Sequence, residues 1–530
     1  MVAGLTAAAV VIPKAMAYAA IAGLPVEAGL YTAFVPMAVY ALLGTSRPLS
    51  VSTTSTIAIL TAGALALVAP NASPAELVTA ASTLALLTGA MLVVASVLKL
   101  GFIAQFISEP VLTGFKAGLG LVIVADQIPK LLGLHFDKAG FVRNLVSIVE
   151  QLPETSLPTM GLALATLGLV VGAEHFFPRV PAPLLAVVGG IAAFGLLGLE
   201  ATGIETVGKI PPGLPAFTPP DLSLVGHLWP GALGIALMSF TETVATGRAF
   251  ARRGEPHPEA NRELLALGLA NLAGGLFRVM PAGGGASQTA VNRRAGAKSQ
   301  AAALVTVAMV AATLLVLAPV IRLMPQATLA AVVVATTVGL ISPAEFRAIR
   351  RVRTAEFRWA VVALVGVVLL GSLNGILVAV VVSLLALLYQ ANRPPVYTLG
   401  RRPGTNLFRP LSAEHAGDET FPGLLIVRTE GRIYFANAQR VGDGMWPLIH
   451  ATQPRVLLLD CSAVPDIEYT ALRMLTDAEE TLREHGTTLW LAGLNPEVLR
   501  LIEQAPLGKV LGRERIFPTL EEAVRRYQAQ

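Results

Sequence analysis

Cysteine is nearly absent: Cys461 is the single one among 530 residues. An internal disulfide is excluded, and so is a cysteine-built metal site. The seven histidines include no H-x-x-x-H pair, so a helical zinc motif is missing as well. Gly283-Gly284-Gly285 lacks the following Gly-Lys-Ser/Thr of a phosphate loop, which removes nucleotide hydrolysis as a driving force. No Ser or Cys nucleophile stands in a recognisable His/Asp setting. The expectation is a protein that is not an enzyme and carries no cofactor. Met1-Val2-Ala3-Gly4-Leu5 enters an apolar stretch at once, without the basic region and cleavage site of a signal peptide.

Charge is the second scarcity, and it is uneven. Residues 1–396 hold 24 Lys/Arg and 17 Asp/Glu, about 10%, whereas residues 397–530 hold 15 and 17, about 24%. An ordinary soluble domain carries roughly 25%, so only the second part is ordinary. Mean hydropathy is +0.66. The sequence thus reads as a polytopic α-helical membrane domain, 1–396, followed by a soluble domain, 397–530. The net charge of +5 is +7 in the first part and −2 in the second. Basic loops on one side of a bilayer explain this, and a nucleic-acid partner is not expected.

A spanning helix needs ~20 apolar residues. Fourteen candidate segments stand out, the third and tenth of them poor spans: 2–22, 30–45, 50–69, 75–98, 102–127, 157–177, 181–199, 228–249, 260–279, 283–297, 299–319, 325–341, 356–371 and 374–391. The third opens on Ser50-Val51-Ser52-Thr53-Thr54-Ser55-Thr56 and the tenth on a glycine run ending in Ala286-Ser287-Gln288-Thr289. Each is third in its group of seven. Interrupted segments at equivalent places in two halves indicate an inverted repeat, about 1–200 and about 226–396, with a substrate site between them. With both termini in the cytoplasm, sixteen Lys/Arg of the loops fall inside and six outside, as the positive-inside rule requires. Lys138, Arg179, Lys209, Arg252 and Arg253 are in that tally.

The tail alternates strand and helix, which implies a mixed sheet with helices packed on it. Leu424–Val427 and Arg432–Phe435 read as a hairpin about Glu430-Gly431. Arg455–Asp460 and Thr488–Ala492 read as strands. Tyr469–His485, Pro496–Glu503 and Thr519–Gln528 read as helices.

Several stretches resemble the SulP (solute carrier 26) family of anion transporters. They are Ile12-Pro13-Lys14-Ala15-Met16-Ala17-Tyr18-Ala19; Phe106-Ile107-Ser108-Glu109-Pro110-Val111-Leu112-Thr113-Gly114-Phe115; Asn261-Arg262-Glu263-Leu264 with Gly268 and Asn271; and Gly285-Ala286-Ser287-Gln288-Thr289-Ala290-Val291-Asn292. The tail resembles a STAS domain. The resemblance implies a seven-plus-seven inverted repeat, a core bundle (segments 1–4 and 8–11) moving against a gate bundle (5–7 and 12–14), secondary transport of an anion in the cell (inner) membrane, and a homodimer. A cytoplasmic partner of the tail is left open. Some bacterial members are dicarboxylate carriers of the fumarate type. Where STAS domains carry Asp-x-Ser/Thr-Gly, this chain has Glu468-Tyr469-Thr470-Ala471, which argues against phosphorylation-type switching.

An anion at the bilayer midplane needs compensation. Two half-helices meeting N-terminus to N-terminus supply free N–H groups and two positive dipole ends. Thr53, Thr54, Ser55, Ser287, Gln288 and Thr289 are therefore the expected substrate contacts, helix capping being the alternative. Lys14 offers a cation to a second carboxylate, or else pairs with a protein carboxylate such as Glu242. Tyr18, one turn on, forms a pocket wall or packs. The expected substrate is a small dicarboxylate such as fumarate, with sulfate or bicarbonate carriage, or an anion channel or exchanger, as alternatives. Glu242 is the expected coupling-proton site. Sodium-coupled relatives pair an acidic residue with a threonine on this helix, which here implies Glu242 and Thr246 and sodium as the alternative ion.

Overall fold

The computed structural model describes every residue except 69–71, 106–107, 137–140, 178–180, 197, 209–210, 212, 252–254 and 256–257. Phe106, Ile107, Lys138, Arg179, Lys209, Arg252 and Arg253 of the sequence reading lie outside the described residues. The chain divides into two compact units, Met1–Leu384 and Leu385–Gln530.

In the first unit the order is α1 (Val2–Ile21), α2 (Val26–Leu43), β1 (Val51–Ser52), α3 (Ser55–Val68), α4 (Pro74–Val97), α5 (Glu109–Leu132), α6 (Phe141–Gln151), α7 (Leu157–Phe176) and α8 (Ala182–Leu196). There follow α9 (Val225–Ala249), α10 (Ala260–Gly274), β2 (Gly283–Gly284), α11 (Ala286–Arg294), α12 (Ala301–Ala312), α13 (Ala318–Ile321), α14 (Gln326–Val338), α15 (Pro343–Val352), α16 (Thr354–Leu370) and α17 (Ser372–Ala391). Each of the fourteen expected segments coincides with a helix. Among the described residues, eight helices are long and apolar enough to cross a membrane. At 14 and 9 residues, α3 and α11 are too short, reaching ~21 and ~14 Å at 1.5 Å per residue. Two helices of this unit were not expected, α6 and α15. Both mix charge with apolar residues, such as Arg143 and Glu150 in the first and Glu345 and Arg347 in the second, so neither presents an apolar run. Ser342 caps α15 by accepting from the Glu345 N–H.

The repeat shows in reciprocal packing. Helix α4 packs on α10 as α12 packs on α2; α1 meets α12 as α9 meets α4; α5 lies on α16 as α14 lies on α7; α3 meets α9 as α11 meets α1. Exchanging the two halves maps each pair onto its counterpart. The same contacts sort the helices into a core bundle (α1–α4, α9–α12) and a gate bundle (α5, α7, α8, α14, α16), joined chiefly by α1 with α8 and α14 and by α3 with α5. Small residues permit the close crossings. A Cβ placed on Gly114 of α5 would lie 1.9 Å from the Ala360 carbonyl oxygen of α16.

The second unit holds β3 (Val396–Arg401), β4 (Phe408–Pro410), β5 (Leu424–Thr429), α18 (Ala438–Thr452), β6 (Val456–Asp460), α19 (Tyr469–Glu484), β7 (Thr488–Ala492), α20 (Pro496–Gln504), α21 (Pro506–Leu511), β8 (Ile516–Phe517) and α22 (Leu520–Gln528). The sheet order is β4-β3-β5-β6-β7-β8. The β3 pairings are antiparallel, and those from β5 through β8 are parallel. Alternation along the strands gives two apolar faces. Leu425, Val427, Leu457, Leu459 and Leu489 pack with residues of α18, α19, α20 and α21, while Ile426, Leu458 and Trp490 pack with residues of α22.

The expected hairpin is corrected. Leu424–Thr429 is a strand, but Arg432–Phe435 does not pair back on it. The Gly431 N–H donates to Ala463 O, the Ile433 N–H to Asp466 O, and the Glu468 N–H returns to Ile433 O. The segment is held by the loop after β6, because β5 already has partners on both sides, β3 and β6. Val396–Arg401, absent from the sequence reading, fills the place of the hairpin's second strand.

Candidate anion site

The two interrupted segments cross inside the core bundle. β1 and β2 pair antiparallel, Val51 opposite Gly284 and Ser52 opposite Gly283. Helix α3 begins three residues after β1 ends and α11 two residues after β2 ends, and because the strands are antiparallel their N-termini lie on either side of the crossing. Residues without side chains are needed here. A Cβ on Gly283 would come within 2.7 Å of Ser239 Oγ on α9.

The crossing is built from fully buried polar contacts. The Ser50 N–H donates to Thr289 Oγ1 at 3.0 Å. Gln288 Oε1 accepts from the hydroxyls of Ser52 (3.0 Å) and Ser50 (3.3 Å). The Gly285 N–H donates to Ser50 O. Thr289 and Gln288, with side chains almost wholly buried, thus turn their polar atoms to the partner segment of the other repeat. Upstream of β1, Glu263 accepts from Tyr40 Oη (2.6 Å), the Thr45 N–H (2.9 Å) and Thr45 Oγ1 (2.5 Å). Asn292 donates to Pro48 O (2.9 Å), and Gln300 to Ser46 O and Leu49 O. Upstream of β2, Asn271 accepts from the Ala282 N–H (2.8 Å) and donates to Ala282 O (3.1 Å). Ser239 donates to the same carbonyl, and the Gly284 N–H donates to Thr243 Oγ1.

On this frame the expected residues divide. Lys14 follows Pro13 in α1 and is buried. Its ammonium donates to Ser287 Oγ at 2.9 Å. Ser287 and Ala286, the first two residues of α11, are exposed, and Ser55, the first of α3, is partly so. Tyr18 is buried with its hydroxyl against Ser55. Thr54 Oγ1 donates to Glu242 Oε2 (3.0 Å) and Thr56 Oγ1 to Glu242 Oε1 (2.9 Å). The Thr53 hydroxyl is buried and has no hydrogen-bond partner among the described residues. Thr246 lies one turn beyond Glu242 and makes no described hydrogen bond to it. The Glu242–Lys14 pair weighed from sequence is not formed: each has hydroxyl partners instead. Glu242 lies within electrostatic reach of Lys116 on gate helix α5.

Sequence reasoning missed Thr56, Asn292, Gln300, Ser239 and Thr243. Thr56 lies in the hydroxyl run after Ser50, but nothing local in the sequence gives it a partner. Glu263 and Asn271 stood in a quoted stretch without a role, although a carboxylate in an apolar segment is a signal on its own.

The exposed first turn of α11 backed by a buried lysine, with a part-buried carboxylate against the start of α3, in an inverted repeat, is the arrangement of a membrane transporter for small anions. The sequence pattern of the sulfate permease family matches residues 1–363, and that of the STAS domain residues 417–523. A probable sulfate transporter of Mycobacterium tuberculosis is 34% identical over 100% of this chain and 95% of its own length. The murine solute carrier 26 member A9 anion transporter, in its inward-facing state, superimposes with a TM-score of 0.91 at 24% identity, covering 100% of this chain and 91% of that one. The transmembrane domain of a cyanobacterial bicarbonate transporter covers 72% of this chain and 96% of its own, with a TM-score of 0.63 at 24% identity. The chain belongs to the sulfate permease (SulP, solute carrier 26) family.

Proposed function

We propose that the chain is a secondary active carrier of a small oxyanion of the sulfate class, moved together with a proton held by Glu242. The observation that carries this reading is the contact of Lys14 with Ser287. The buried ammonium reaches the first turn of α11, so cation and helix dipole coincide in one positive spot. A dicarboxylate would favour two poles a molecule's length apart; a tetrahedral dianion places its charge together. The 34% identical relative, itself named a probable sulfate transporter, agrees with this choice over fumarate.

Glu242 faces the same site through Thr54 and Thr56. Protonation would remove a negative charge from a low-dielectric pocket before a dianion arrives, and so remove their repulsion. Movement of the core bundle against the gate bundle then carries site, anion and proton together. The charge asymmetry of the loops supports a cytoplasmic position for both termini and the STAS domain. The assembly is a homodimer, on the family resemblance, with the STAS domain regulatory and contributing no anion ligand.

The test is uptake of labelled sulfate into proteoliposomes with an imposed pH gradient, against fumarate, succinate, bicarbonate and chloride as competitors. Saturable accumulation driven by an acidic exterior, with fumarate at least about tenfold weaker as competitor, is expected. Equal competition by fumarate would reject the substrate class. Large unitary currents without accumulation would make the protein a channel.

A further inference from the structure

One face of the STAS sheet is incompletely filled. Between α18, α19 and strands β6 and β7 lies a cavity of about 140 Å³. Its origin is legible in the sequence. Where the two helices face each other the residues are small: Ala438 and Gly442 on one, Ala471 and Ala478 on the other. A Cβ added to Gly442 would meet no atom within 4 Å. The deep wall is Met445, Ile449, Leu457, Leu459 and Leu482, all buried. The part-exposed or exposed lining residues, Gln439, Gly442, Trp446, Met474, Leu475 and Ala478, mark a mouth along the helix seam.

The lining offers water almost nothing. Gln439 spends its amide on Asp443 at the surface. The Cys461 thiol reaches only Leu459 O, at 3.9 Å. A buried water needs two to four polar partners, and an apolar cavity of ~150 Å³ stays dry and accepts a benzene-sized guest.

We propose that this cavity is a binding site for the end of an acyl chain, about six carbons long, entering along the α18–α19 seam. Its size sets the length and its apolar wall the chemistry. The occupant follows from the chain's connectivity: four residues, 392–395, separate membrane helix α17 from β3. Acyl chains are thus the apolar molecules in greatest supply around this domain.

Cys461 supplies the assay, being the only thiol in the sequence and part of the cavity wall. Burial pushes this thiol up to about 12, so a reagent that attacks neutral thiols is required. The intact protein in nanodiscs and in amphipol would be treated with methylmercury, with and without decanoate, and labelling followed by intact mass. With decanoate at ten times its Kd, labelling of the wild type should slow about tenfold. Gly442→Leu, which fills the mouth, should label slowly with or without decanoate while melting no lower than the wild type. Should Gly442→Leu melt lower, Ala478→Leu takes its place under the same criteria. Slower labelling in nanodiscs than in amphipol would assign the occupant to bilayer lipid; protection only by decanoate would assign it to free acyl chains. Wild-type labelling indifferent to both decanoate and lipid, or a filled variant still protected by decanoate, would overturn the proposal and leave an empty void in the core.

Discussion

Replacing Lys14 with methionine separates a substrate-binding lysine from a structural one. Methionine keeps an unbranched stem of similar length, so the packing within α1 and against its neighbours is nearly preserved. The ammonium's one described hydrogen-bond partner is the Ser287 hydroxyl, which stays exposed and can turn to water. Loss of the protein contact is therefore cheap, and removal of a buried charge is favourable. Thermal stability should stay level or rise. Binding should suffer: a hydrogen bond to a charged partner contributes about 1.5–3 kcal/mol, which at 1.4 kcal/mol per decade is about 10- to 150-fold in affinity. Initial-rate uptake of sulfate in proteoliposomes gives KM, and thermal unfolding of the same preparation gives stability. Ser287→Ala loses only a neutral contact, about 0.5–1.5 kcal/mol, and its KM should rise about tenfold at most. An unchanged KM in Lys14→Met, or a sharp loss of stability with KM intact, would refute the assignment of this cation to the anion.

Glu242→Gln should keep sulfate binding measurable by competition but lose gradient-driven accumulation and the pH dependence of uptake; accumulation at the wild-type level would exclude proton coupling at this residue. Asn271→Ala should lower thermal stability by about 1–3 kcal/mol, because it strands the buried Ala282 N–H while Ser239 still serves the Ala282 carbonyl; a change below about 0.5 kcal/mol, the ordinary scatter of surface substitutions, would show that β2 is held by other contacts. In the tail, a hydrogen bond from Arg409 holds the Asp418 carboxyl below its usual range. Its stabilisation is complete above the ordinary value of about 4 and is lost as pH falls through the lower folded value. Thermal unfolding of the wild type should therefore drop more steeply than that of Asp418→Asn as pH falls below about 4; parallel curves would show that the pair contributes nothing.

Much of the membrane architecture was legible because its signals are long. Apolar stretches near twenty residues marked all fourteen segments, and the hydroxyl run at Ser50–Thr56 and the glycine run at Gly283–Gly285 marked the interruptions. The amphipathic helices α6 and α15 escaped because a search for continuous apolarity passes over them. At the site, residue types were readable but directions were not. Thr54 turns to Glu242 and Thr289 to Ser50, and no local pattern distinguishes these from hydroxyls turned to the pocket. Asn292 and Gln300 act on backbone carbonyls some 250 positions earlier, a pairing that only the fold creates. In the tail, Arg432–Phe435 has the composition of a strand, and the choice between β3 and this segment as neighbour of β5 is tertiary.

The pairing of β1 with β2 also sets a timetable for synthesis. Val51 leaves the ribosome more than 230 residues before its partner Gly284, an interval of about 12–47 s at ~5–20 residues per second. Throughout that interval the first repeat sits in the bilayer with an unpaired strand, with Gln288 and Thr289 missing from the Ser50 region and the seats for α10 and α12 vacant. Unpaired backbone polar groups in hydrocarbon cost several kcal/mol each. The first half therefore needs a shelter from lipid, at the insertion machinery or in a water-filled cleft, until the second half arrives, and half-helix α3 becomes one of the last parts of the membrane domain to reach its final place.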